Sequence, residues 1–141
     1  MSSERFEQLA VELAGQVPDL PRQLADLREP AEGLRELANA SVQAFVRRAG
    51  ELGAEHLTRL AVSPVVPDEK HVDCLQFTLS RGRWELVCVA IAKGEGKIRL
   101  VGPFKQGESE TPCLDLPLRG SEVESALEDG IESLIRQACV G

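Results

Sequence analysis

A chain of 141 residues, 43% of them hydrophobic, is the right size for one compact domain with a real core. Its net charge of −7 repels phosphate backbones, and four Phe, one Trp and no Tyr leave little from which to build a base-stacking platform, so no nucleic-acid partner is expected. No apolar run approaches the ~20 residues of a membrane helix and the opening Met1–Glu7 is polar, so the expectation is a soluble cytoplasmic protein, without a membrane partner, whose cysteines are reduced thiols.

Residues 1–58 read as helix and carry 6 basic and 10 acidic side chains. Ser3 can cap a first helix from Glu4 to Ala14, with Phe6, Leu9, Ala10, Leu13 and Val17 on one face. Gly15 and Pro18 end it. Asp19 and Pro21 open a second helix with a Leu20, Leu24, Leu27 stripe, which Pro30 is expected to end. A third helix is predicted from Pro30 to His56, with Leu34, Leu37, Ala38, Val42, Phe45, Val46, Ala49 and Leu52 facing inward. Gly50 and Gly53 predict a break near its end.

Residues 59–118 carry 8 basic and 8 acidic side chains and read as a strand meander. Leu60–Val66 is a short strand that Pro64 places at a sheet edge or bulge. His71–Ser80 and Arg83–Ala92 form a hairpin around Arg81-Gly82, which would pair Leu79 with Trp84, Phe77 with Leu86 and Leu75 with Cys88 on a core face. The opposite face would pair Thr78 with Glu85, Gln76 with Val87, Cys74 with Val89 and Val72 with Ile91. Lys97–Gly102 and Cys113–Leu118 complete the strands, separated by a polar loop over 102–112.

Residues 119–141, with 2 basic and 5 acidic side chains, read as one helix. Ser121 to Glu124 forms a capping box, and Val123, Leu127, Ile131, Leu134, Ile135 and Ala138 make its buried stripe. The predicted architecture is therefore α+β: a helical region over 1–58, a four- to five-stranded antiparallel sheet over 59–118, and a C-terminal helix packed on its Trp84 face.

No reaction centre emerges from the residue pattern. Cys74, Cys88, Cys113 and Cys139 form no C-x-x-C pair, and His71 and Cys74 point to opposite faces of a strand, so no metal or cofactor is expected. A Cys113 nucleophile would need His56 or His71 as base, and nothing in the spacing supplies one. Glu108 and Glu110 read as solvated loop charges, and Arg81 and Arg83 as solvated residues of a turn.

What does emerge is a second sheet face with an apolar end that needs cover. The first expectation is that the N-terminal helices lie on it, giving helices on both sides of the sheet. The sharper reading is a protein partner or a second copy, as in a homodimer. On it, Val72, Cys74, Val87, Val89 and Ile91 form the docking face, with Phe104, Lys105, Glu108 and Glu110 of the 102–112 loop contributing. In size, acidity and α+β content the chain is similar to small acidic secretion chaperones, although its element order differs and it shares no motif with them. The leading function is thus a non-enzymatic binding or adaptor protein. The alternatives are a small enzyme or ligand-binding domain using the 102–112 loop, and a structural subunit of a larger assembly.

Overall fold

The computed structural model describes residues 2–16, 20–68, 71, 73–92, 96–108, 111–118 and 120–140. Helices α1 (Ser2–Gln16) and α2 (Leu20–Glu51) precede a 3-10 turn at Glu55–Thr58. Six strands follow: β1 (Ala61–Val62), β2 (Val66–Pro67), β3 (Cys74–Arg81), β4 (Trp84–Ile91), β5 (Lys97–Lys105) and β6 (Cys113–Pro117). Helix α3 (Glu122–Val140) closes the chain. All pairings are antiparallel, in the order β1-β3-β4-β5-β6, with β2 also paired to β3. The α+β class and the helix–sheet–helix order expected from the sequence are those observed.

Pro30 does not divide α2, which runs on through it. Leu27, Ala31, Leu34, Ala38 and Val42 are all buried on one continuous stripe. Packing along that stripe outweighs the one hydrogen bond that proline removes. The helix stops instead at Gly53, whose φ of +77° only glycine adopts freely. There the amide of Ala54 donates to the carbonyl of Ala49 (2.8 Å) and that of Gly53 to Gly50 (3.0 Å), a Schellman cap.

Pro64 splits the first edge strand into β1 and β2, as the sequence implies. Ser63 bridges the break: its amide donates to the Thr78 carbonyl and its side-chain Oγ accepts from the Thr78 amide, each at 2.8 Å.

The hairpin turns on Gly82-Arg83, not Arg81-Gly82, with Arg81 opposite Trp84. Gly82 at φ +58° takes the first central position, as a type II′ turn requires. The resulting register pairs Leu79 with Leu86, Phe77 with Cys88 and Leu75 with Ala90. It differs from the expected one by two residues, so every side chain keeps its face.

The larger correction concerns the layers. Leu75, Phe77, Leu79, Leu86, Cys88, Ala90, Ile98 and Leu100 form one core with α2 and with Val123, Leu127, Ile131 and Leu134 of α3. Both helices therefore lie on the Trp84 face, α2 over β3 and α3 over β4 and β5. Among the described residues no helix packs on the second face, where the N-terminal helices were expected. Gly130 lets α3 come close: a Cβ at that position would sit 3.2 Å from Cδ2 of Leu86.

Candidate functional site

The face turned away from both helices is built in rows across the strands. One row runs Thr78, Val87, Val101, Cys113; the next runs Gln76, Val89, Arg99, Asp115. Val87, Val89 and Val101 are half-buried, so each still offers apolar surface to solvent. Val66, paired to Gln76, extends the second row outward and is 41% exposed.

A bulge ends the regular pairing. Glu85 faces Phe104 while Val87 faces Val101, so Gly102 and Pro103 together stand opposite Leu86, one extra residue in β5. Gly102 has φ +109°, and a Cβ there would lie 2.7 Å from the carbonyl oxygen of Glu85. Only glycine fits that approach. β5 consequently runs to Lys105, and the loop expected over 102–112 begins only after it. The bulge seats Phe104, half-buried, beside Glu85 on the open face. Glu85 accepts a hydrogen bond from Gln106 Nε2 at 3.0 Å.

The far end of the face is charged. Arg99 donates from Nε to Oδ1 of Asp115 (2.7 Å) and from Nη2 to Oδ2 (3.1 Å), a bidentate pair across β5 and β6. Lys97 Nζ adds a third contact to Oδ2 at 3.3 Å. These bonds, Arg99 foremost, hold the Asp115 carboxyl down at about 2.

The residues named from the sequence are thus dispersed. Val87, Val89 and Phe104 share the open face. Cys74 and Ile91 pair at its end and are buried, at 5% and 7% exposure. Lys105 pairs with Trp84 and belongs to the helix side, while Glu108 is exposed in the turn beyond β5. Val72 and Glu110 lie outside the described residues. Val66, Val101, Arg99 and Asp115 were not singled out from the sequence. The alternation of Lys97, Arg99 and Val101 with Ile98 and Leu100 carries the signal that would have placed the β5 members on a wet face.

Buried thiols on both faces are poor nucleophiles. Burial pushes Cys88 up to about 12; burial, with Asp73 beside it, pushes Cys74 up to about 11. Cys113 is exposed on β6. His71 precedes β3, three strand spacings away in the sheet, or about 14 Å. It lies with Nδ1 2.9 Å from Asp68 Oδ2. Cys113 and His71 therefore do not meet. Among the described residues no group of three or more His, Cys, Asp or Glu side chains is placed to hold a metal ion, and no helix is long and apolar enough to cross a membrane.

No protein family, curated protein or solved structure matches the chain.

Proposed function

We propose that the chain is a non-enzymatic protein-binding module whose partner docks on the open sheet face. The observation that carries this reading is a contiguous set of half-exposed apolar side chains, Val87, Val89, Val101 and Phe104, on a face that neither helix covers. Apolar surface rimmed by polar groups is a common mark of an interaction site. Here the Arg99–Asp115–Lys97 cluster lies at one border and Glu85 at the other. Such charges contribute more to orientation and choice of partner than to affinity. The four free thiols suit a reducing compartment, and we assign the protein to the cytoplasm.

The test is a folded variant with a spoiled face. Val87→Lys with Val101→Glu sets opposite charges across β4 and β5 on side chains that reach water, so the thermal midpoint should stay within a few degrees of wild type. Proteins cross-linked in cells to the wild type, and lost from this variant alone, would support the reading. An identical set of cross-linked proteins for both chains would overturn it.

A further inference from the structure

We propose that α1 is an exchange arm, whose Phe6–Leu9–Leu13 stripe seats in the groove between α2 and α3 of a second copy of this chain. The arm is amphipathic and unusually bare. Every residue described on it from Ser3 to Leu13 is exposed, with Phe6 at 63%, Leu9 at 44% and Leu13 at 52%. Phe6, Leu9 and Leu13 stand at i, i+3 and i+7, one stripe of a helix. An isolated helix of 15 residues is marginal in water, so an apolar stripe on it calls for a partner.

The groove is the matching concavity. Phe45 of α2 with Ile131 and Ile135 of α3 form its apolar floor, and its volume is about 450 Å³. Along α3 it extends from Glu128 to Arg136, eight residues or about 12 Å of helix. The stripe from Phe6 to Leu13 covers seven, or about 10 Å.

The arm cannot fill the groove of its own chain. Phe45 stands 25 residues into α2 from Leu20, about 38 Å along the helix. The four Cα steps from Gln16 to Leu20 span at most about 14 Å, and Phe6 is about 15 Å beyond Gln16. Even fully drawn out, Phe6 stops about 3 Å short of Ser41, the near end of the groove, and about 9 Å short of Phe45, while Leu9 and Leu13 stop about 7 and 13 Å short even of Ser41. A second copy has no such limit, and two arms exchanged about a two-fold axis bury both stripes.

Charge sets the direction. The α3 wall of the groove bears Glu128, Glu132 and Arg136, and Arg48 follows Phe45 on the α2 side. On the arm, Arg5 and Glu12 share one flank of the stripe and Glu7 lies on the other. With the Arg5–Glu12 flank on the α3 wall, Arg5 can meet Glu128 or Glu132, Glu12 has Arg136 as its partner, and Glu7 faces Arg48; the reversed arm sets Arg5 against Arg48 and Glu7 against the two glutamates. Arg48 and Glu132 now hold only exposed pairs with Glu51 and Arg136, which are readily exchanged.

The test is solution mass by light scattering of the full chain over a concentration series. Wild type should pass from 15.3 kDa toward twice that mass. Leu9→Glu on the arm and Phe45→Glu in the groove should each raise the dimer dissociation constant about tenfold or more. Mixed together, these two should recover a dimer, because one supplies an intact groove and the other an intact arm. Ser41→Arg replaces Phe45→Glu if the latter unfolds. Wild type that is monomeric throughout, a Leu9→Glu dimer as tight as wild type, or no recovery on mixing would each overturn the arm. Val87→Lys with Val101→Glu should leave the dimer intact, so this proposal and the partner reading of the open face fail separately.

Discussion

Arg81, the last residue of β3, donates from Nε to the carbonyl oxygen of Ala138 in the final turn of α3, at 3.4 Å. That turn has no basic residue of its own, so the hairpin supplies the cation that the negative end of the helix favours. The same guanidinium donates from Nη1 to the carbonyl oxygen of His56 at 2.9 Å, in the 3-10 turn. One side chain thus ties the C-terminal helix to the segment that leads into the sheet. From the sequence it had read as a solvated turn residue.

Arg81→Ala should therefore destabilise the fold by about 1–3 kcal/mol, the scale of hydrogen bonds to a charged donor. Arg81→Lys should recover only part of this, because an ammonium lacks the planar fork that reaches two carbonyls. Denaturant unfolding of the three chains measures it. A loss below about 0.5 kcal/mol for Arg81→Ala would mean that water replaces both bonds at no net cost.

Two glycine substitutions should move stability in opposite directions. Gly33 is exposed within α2 with nothing within 4 Å of an added Cβ, so Gly33→Ala should stabilise by about 0.5–1 kcal/mol. Gly102→Ala must place a Cβ against the Glu85 carbonyl at positive φ, and should cost about 1–3 kcal/mol. Equal midpoints for both variants would contradict the bulge geometry.

The Arg99–Asp115 pair has a defined pH window. Its carboxyl is held at about 2 when folded, against 3.8 ordinarily. A depressed folded value means that the unfolded chain takes up the proton first as pH falls. The stabilisation is complete above about pH 4 and is lost between about 4 and 2. The stability difference between wild type and Asp115→Asn, followed from pH 6 downward, should stay constant to about pH 4 and then shrink. A difference that grew below pH 4 would refute the pairing.

Thiol labelling should separate the cysteines. Exposed Cys113 should react within the native state at pH 8, and Cys113→Ser should remove that fast phase. Cys74 and Cys88 are buried and held as thiols, so they should react only on unfolding. Fast native labelling at Cys88 would mean that the core opens readily.

The elements themselves were legible in the sequence because each has a clear period. Val123, Leu127, Ile131 and Leu134 announce α3, and the alternation through β3 and β4 sorts their faces even with the turn displaced by two residues. Three features were not legible. Continuity through Pro30 depends on the sheet that Leu27, Ala31 and Leu34 pack against, a contact distant in sequence. The extension of β5 depends on how Gly102 approaches Glu85 on the neighbouring strand. The placement of both helices on one face could not be read from their stripes, since an apolar stripe does not say which side of a sheet it meets. As for the candidate site, Val87 and Val89 were visible as apolar residues on the second face, whereas Arg99 and Asp115 acquire meaning only once β5 and β6 are paired.

The one-sided layering bears on how the chain can be made. Leu86 is fully buried beneath α3, with Gly130 pressed against it, and α3 follows in chain order the strands it covers, so they leave a ribosome before their cover does. Until Val123 to Leu134 emerge, β4 and β5 present their inner faces uncovered, with the sheet already long enough to pair with a neighbour's. This nineteen-residue helix is therefore the step that turns a sticky half-built sheet into a covered layer, and a chain cut short before it would be a substrate for chaperones rather than a smaller working protein.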